Sequence, residues 1–117
     1  MEHLASLDDF RAACALHRAV LIDAFADWCG PCKQMSPLFE SVAMAASSRG
    51  VGCYKMDVDA AQDLAAYLDV CSLPTFLLVV DGEVVGTVVG ADRAGLTALA
   101  LQASRIAAAL PMSYSSG

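Results

Sequence analysis

Cys29 and Cys32 stand three residues apart in Trp28-Cys29-Gly30-Pro31-Cys32-Lys33, where an apolar, strand-like run over residues 20–26 gives way to a helix-like run over 35–46. Two thiols at i and i+3 on the first turn of a helix share a face, near enough to close a small disulfide ring. A helix start leaves backbone N–H groups unpaired and carries partial positive charge, so a sulfur placed there is stabilised as thiolate. Cys29 is that sulfur and is expected to be exposed, with Cys32 behind it. Pro31 has no N–H to lose and a φ suited to a first helical turn. Charge–dipole energies of about 0.3 to 2 kcal/mol lower a thiol pKa of about 8.5 by roughly one unit and raise the thiolate fraction at neutral pH roughly tenfold. Nucleophilicity falls with pKa at a Brønsted slope of about 0.4 to 0.5, so the tuning serves leaving-group ability and redox poise as much as attack.

Such a pair has two other readings, half of a zinc site or packed core thiols. Zinc takes about four ligands, yet no second Cys-x-x-Cys exists, and His3 and His17 lie far upstream in unrelated segments, so no metal is expected. Beside a βα pattern the pair reads as redox-active. Asp23 interrupts the apolar strand six residues before Cys29. A carboxylate there is costly to ionise, so its pKa should rise unless a partner compensates, and it could exchange protons with Cys32. The alternative is a strand-end carboxylate facing solvent. Lys55 reads by default as a surface lysine and alternatively as the charge partner of Asp23. Asp57 and Asp59 resemble a metal pair only superficially, since Asp59 with Gln62 reads as a helix cap. Cys14 and Cys53 read as buried, inert small hydrophobes.

At 117 residues the chain is one domain with a single core. Its hydrophobic content of 57% suits a sheet covered on both faces. A net charge of −6 without any lysine or arginine cluster disfavours nucleic acid and anionic membranes as partners. No run approaches the roughly 18 apolar residues of a membrane span. Glu2, Asp8 and Asp9 stand where a signal peptide would carry lysines and then a long apolar stretch, so the chain reads as unexported. Five cysteines, an odd number without the spacing of a secreted framework, fit a reducing compartment, and a soluble, cytoplasmic protein is expected.

The elements that must position these residues follow from the hydrophobic pattern. Residues 1–4 supply a short edge strand at most. Ser6 with Asp9 forms a capping box that starts a helix to about residue 15. Residues 19–26 are apolar almost throughout, as in a central parallel strand. A helix follows over 31–47, with an interior Pro37 expected to kink it. Next come a strand over 51–57 and a helix over 60–68 with Ala61, Leu64, Ala65 and Leu68 on one face. Cys71-Ser72-Leu73-Pro74-Thr75 leads into an apolar strand over 76–80, Asp81-Gly82 is a hairpin turn, and 83–89 is the returning antiparallel strand. Gly90-Ala91 ends it. Asp92 caps a last helix to Leu110, with Leu96, Leu99, Ala103, Ile106 and Leu110 toward the sheet. Residues 1–110 then form one α/β domain of order βαβαβαββα, a central mixed sheet flanked by helices on both faces, and 111–117 a small, polar tail.

These elements in this order resemble the thioredoxin family. The resemblance rests on the full active-site sequence at 28–33, Asp23 in its strand, Pro37 in its helix, Lys55, Leu-Pro-Thr at 73–75, Asp-Gly-Glu-Val-Val at 81–85 and Val-Gly-Ala at 89–91. It implies the thioredoxin fold and a protein disulfide reductase in which Cys29 attacks, Cys32 resolves, Asp23 is the buried acid/base, Lys55 counts with them among the catalytic residues, and Pro74 is a cis-proline beside the sulfurs. Substrate backbone would be held by Trp28, Gly30, Pro31, Leu73, Pro74, Thr75, Gly90 and Ala91. The resemblance implies no bound cofactor, because a flavoprotein thioredoxin reductase drawing on NADPH would regenerate the dithiol. It implies a monomer acting on disulfide-containing proteins such as peroxiredoxins or reductases. Gly-Pro between the cysteines resembles the reducing members, with potentials of about −270 mV, rather than the oxidising ones at about −120 mV. Ala24 departs from the phenylalanine often found in the family, and Cys71 is no part of the general motif. Near the substrate face, Cys71 is a candidate for a regulatory disulfide or an oxidation-dependent dimer. Two rival functions are a disulfide oxidase or isomerase, and a protein-binding module whose grip depends on the redox state of the pair.

Overall fold

The computed structural model describes residues 1–109; Leu110 and the tail expected over 111–117 lie outside the described residues. In order the elements are α1 (Leu7–Leu16), β1 (Ala19–Phe25), α2 (Gly30–Ser47), β2 (Gly52–Asp57), α3 (Gln62–Tyr67), β3 (Thr75–Val80), β4 (Glu83–Val89) and α4 (Arg93–Ala108). The strands make one mixed sheet in the order β2-β1-β3-β4. β1 runs parallel to β2 and antiparallel to β3, and β3 runs antiparallel to β4. β1 is therefore interior and covered on both faces, which is why it reads as a near-continuous apolar run.

Alternation along β1 divides the core in two. Val20, Ile22 and Ala24 meet Phe10 and Ala13 of α1 and Leu64 and Ala65 of α3. Ala19 and Leu21 meet Met35 and Phe39 of α2 and Leu96 and Leu99 of α4. Each large apolar side chain buried this way contributes about 1.5 to 3 kcal/mol. Asp23 follows Ala19 and Leu21 in the alternation and so lies under α2. The sequence thus aims a carboxylate at the helix that begins with the cysteine pair.

The edge strand expected over residues 1–4 is reduced to a single bridge between His3 and Lys55. Leu4 N–H donates to the Lys55 carbonyl at 2.8 Å and Lys55 N–H to the Glu2 carbonyl at 3.0 Å. The chain leaves the sheet at once because α1 is already being capped. Ser6 Oγ accepts from Asp9 N–H at 3.1 Å, and the Asp9 carboxylate accepts from Ala5 N–H at 2.9 Å. At the other end of the chain Asp92 caps α4 as expected, accepting from Gly95 N–H at 2.8 Å. Helix α2 continues through Pro37. Between β3 and β4, Asp81 and Gly82 both take positive φ, 52° and 84°, as a two-residue hairpin turn requires. Helix α3 is shorter than the expected 60–68, and its cap position is Ala61, which offers no side-chain acceptor.

Candidate active site

Cys29 ends the turn after β1 and occupies the cap position of α2, where its Sγ accepts the Cys32 N–H at 3.2 Å. A polarisable sulfur thus takes the place of the hydroxyl or carboxylate oxygen that usually meets an unpaired N–H at a helix start. The two cysteines are joined as a disulfide, with their Cα atoms 5.3 Å apart. In this bonded form Cys29 is only 5% exposed, less open than the sequence suggests, because Ala26, Phe25, Val58 and Leu73 pack round the pair. The two sulfur-bearing residues open in different directions. Cys29 lines a surface groove of about 530 Å³ whose walls are Trp28, Gly30 and Pro31 on one side and Cys71, Ser72 and Leu73 on the other, with Val58 and Val70. Cys32 instead lines a cavity of about 140 Å³ that also contains Asp23, Ser36 and Lys55.

Asp23 is 2% exposed, and its Oδ1 has no hydrogen-bond partner. Burial raises its pKa to about 6; the positive charge of Lys55 pulls the other way and the negative charge of Glu40 adds to the rise. The sequence reading of a buried carboxyl with raised proton affinity agrees with this. Lys55 is not the surface lysine of the default reading: its side chain is 16% exposed and its ammonium lies 5.7 Å from the centre of the Phe25 ring. It makes no direct pair with Asp23 either. Its Nζ donates to Ser36 Oγ at 2.6 Å and lies 3.5 Å from the Glu40 carboxylate.

The other residues singled out by sequence fall into three groups. Trp28, Gly30, Pro31 and Leu73 line the groove beside Cys29. Pro74 and Thr75 are buried behind it, the Leu73–Pro74 peptide is cis, and Thr75 Oγ1 donates to the Ser72 carbonyl at 2.5 Å. Gly90 reaches the site through its N–H, which donates to the Pro74 carbonyl at 2.8 Å, whereas Ala91 is exposed beyond the groove walls. Cys71 is an exposed free thiol in the groove wall; Cys14 and Cys53 are half-buried free thiols, each with its pKa raised by burial. Among the described residues no group of three or more His, Cys, Asp or Glu side chains is disposed to hold a metal ion.

Sequence reasoning missed Val58, Val70, Ser36, Glu40 and the role of Asp59. The first two are lone apolar residues in connections, a faint signal that they face something other than water. Asp59 is not a helix cap. Its carboxylate accepts from the indole Nε1 of Trp28 at 2.8 Å and so fixes a ring that is 72% exposed, while its own N–H donates to the Asp57 carboxylate at 2.9 Å.

What this constellation can do is exchange one disulfide for another, since Cys29–Cys32 is a bond that a thiolate opens and re-forms without any other reagent, and one of its ends faces a groove. By fold and site the molecule is a thiol–disulfide oxidoreductase. A family model described as Thioredoxin matches residues 3–102, and the chain is 38% identical over 101 residues to a thioredoxin of Malassezia sympodialis, covering 86% of this chain and 96% of that one. The chain belongs to the thioredoxin family, and its activity is reduction of protein disulfides by dithiol–disulfide exchange at Cys29 and Cys32. Solved structures agree in fold. Mitochondrial thioredoxin 3 of Saccharomyces cerevisiae in its oxidised form is similar at TM-score 0.81 and 33% identity, over 87% of this chain and 94% of that one. A chain from a structural study of thiol resolution in yeast mitochondrial 1-Cys peroxiredoxin via glutathione/thioredoxin systems is similar at TM-score 0.80 and 32% identity, over 87% and 94%. No helix among the described residues is long and apolar enough to cross a membrane.

Proposed function

We propose that Cys29 is the attacking thiolate, Cys32 the resolving thiol and Asp23 the group that takes the Cys32 proton. The observation that carries the assignment is the opposite outlook of the two cysteines, Cys29 on the groove and Cys32 on the Asp23 cavity. In the reduced protein Cys29 thiolate attacks one sulfur of a substrate disulfide; the substrate S–S bond breaks, a mixed disulfide forms and the first substrate thiolate leaves. Cys32, relieved of its proton by Asp23, then attacks the Cys29 sulfur, releasing the second substrate thiolate and closing Cys29–Cys32. Two electrons pass from the dithiol to the substrate disulfide. The Cys32 N–H that meets the Cys29 sulfur, together with the start of α2, stabilises negative charge on Cys29 both as nucleophile and as leaving group.

The groove walls suit extended polypeptide on either side of a disulfide: Trp28 and Pro31 face Leu73 and Val70 across Cys29, and Gly90 and Thr75 brace the loop from behind. A flavoprotein thioredoxin reductase using NADPH returns the disulfide to dithiol, and peroxiredoxins are among the substrates. The support for these partners is the family itself, together with the peroxiredoxin study that contains a similar chain. Three unpaired thiols, Cys14, Cys53 and Cys71, favour a reducing compartment such as the cytoplasm.

Substitution separates the roles. Cys29→Ser abolishes reduction of a protein disulfide such as that of insulin, and retained turnover would remove the assigned nucleophile. Cys32→Ser attacks but does not resolve, so it accumulates mixed disulfides on a non-reducing gel. A gel without them, under conditions where the wild type turns over, would reassign the second thiol.

A further inference from the structure

Asp23 and Lys55 are partners in the parallel register of β1 and β2, so their side chains rise from the same face of the sheet. A lysine in that position is the natural counter-ion for a buried carboxylate. The structure withholds it. Lys55 Nζ donates to Ser36 Oγ at 2.6 Å, Ser36 Oγ donates to Glu40 Oε2 at 2.9 Å, and Glu40 Oε2 lies 3.5 Å from Nζ, closing a triangle, while Asp23 Oδ1 keeps no partner. Cys32, Ser36 and Glu40 are spaced i, i+4, i+8 along α2, so one row of the helix carries the resolving sulfur, the hydroxyl and the carboxylate.

We propose that Ser36 and Glu40 are positioning residues for the exchange reaction, holding the Lys55 ammonium away from Asp23 so that this carboxyl can take and return the Cys32 proton. The bearing on turnover rests on the assignment of Asp23 given above; the positioning itself does not. Were Lys55 to pair with Asp23, the carboxylate would be a satisfied ion and a weak base toward a thiol. Were Lys55 absent, the carboxyl would hold its proton more firmly still, since the ammonium even at its present distance favours the charged form. The tether sets a middle course between these limits, and the Phe25 ring supports the ammonium from the side.

The groups that face Asp23 are few. Cys32, Lys33 and Glu40 come from α2, Lys55 from β2 and Asp27 from the turn after β1. β3 sets Phe76 opposite, and α4 packs on this face through Leu96, Leu99, Ala100 and Ala103. Of these groups only Lys55 carries its charge on a long side chain that a neighbouring hydroxyl and carboxylate hold in place.

The test is the titration of the Asp23 side-chain carboxyl, followed by its ¹³C shift in the full chain with Cys29–Cys32 closed, where neither thiol of the pair titrates. The double variant Ser36→Ala/Glu40→Gln should free the ammonium to reach Asp23 and lower the midpoint by about one pH unit or more. In a Lys55→Met background the same two substitutions should produce little of that shift. A midpoint unmoved or raised by the double variant overturns the proposal. So does an equal downward shift with and without Lys55, which would mean that Glu40 acts only as a distant charge. Ser36 is half-buried within α2 and alanine has the higher helix propensity, so the fold is retained in Ser36→Ala. The reduced protein supplies a separate readout: the acid limb of its pH–rate profile should move down with the carboxyl midpoint. A carboxyl that shifts while the rate profile stays fixed leaves the positioning intact and removes Asp23 as the proton acceptor.

Discussion

Asp23 sets the terms at the residue scale, because a carboxyl that is 2% exposed and takes its proton near pH 6 weakens the fold whenever it is ionised. The folded state binds this proton more tightly than the unfolded chain does, so stability is highest below the unfolded pKa of about 4 and falls as pH rises through the folded one. A rise of about two units corresponds to about 3 kcal/mol as an upper figure. Asp23→Asn never ionises and should remove that fall. Urea unfolding of oxidised protein should show the variant more stable than wild type by up to about 3 kcal/mol at pH 8, with the gap closing toward pH 3. A gap independent of pH would mean that the carboxyl is not what weakens the fold. Asp59 shows the other use of a carboxylate, as an exposed acceptor that fixes the Trp28 ring at the groove rim. Sequence spacing pointed Asp59 at Gln62, whose side-chain amide does donate to the Asp59 carbonyl at 3.3 Å, but the partner of the Asp59 carboxylate, 31 positions away, is visible only once the chain has folded.

At the scale of elements, α4 packs tightly against β4. Gly86 lies opposite Leu78, next to a register shift in the β3–β4 pairing, and a Cβ added there would stand 2.7 Å from Leu99 Cδ1. Leu99 belongs to the core under α4, so it has little room to retreat. Gly86→Ala should therefore cost about 1 to 3 kcal/mol of stability through overpacking, against the gain that alanine usually brings to a strand. The loss should be partly reversed by Leu99→Ala, read by denaturant midpoints across the four-member cycle; equal costs in both backgrounds would exclude the Leu99 contact as the cause. Nothing in the sequence around Gly86 marks that contact. What was legible were elements whose signals are local: the Ser6 and Asp92 caps, the Asp81-Gly82 turn, the apolar run of β1 and the helix that starts at the cysteine pair. What was not legible depends on tertiary competition. Residues 1–4 had the composition of an edge strand, but capping of α1 draws the chain away after one bridge. Lys55 had two sequence readings: it is not a surface lysine, and it acts on Asp23 as a charge without pairing directly with it, because α2 brings Ser36 and Glu40 over it.

For the whole molecule, the consequential residue is Cys71, an exposed thiol in the wall of the groove into which Cys29 opens. An intermolecular disulfide at Cys71 would set two grooves against each other and bring together the exposed rings of Trp28 and Tyr67 from both copies. A dimer linked there would cover the groove into which Cys29 opens. Charge opposes its formation: each copy carries a net −6, and the repulsion between exposed charges is screened over about 10 Å at 0.1 M salt. Treatment with a thiol oxidant such as diamide should therefore yield a dimer of twice the chain mass on a non-reducing gel, and yield it faster as ionic strength rises. The dimer should lack insulin-reducing activity until a dithiol splits it, while Cys71→Ser should stay monomeric and active under the same treatment. A dimer that persists in Cys71→Ser would transfer the linkage to Cys14 or Cys53, both of which would first have to emerge from their packing. A Cys71-linked dimer of undiminished activity would show that the approach of substrate to Cys29 does not pass over the Cys71 side of the groove.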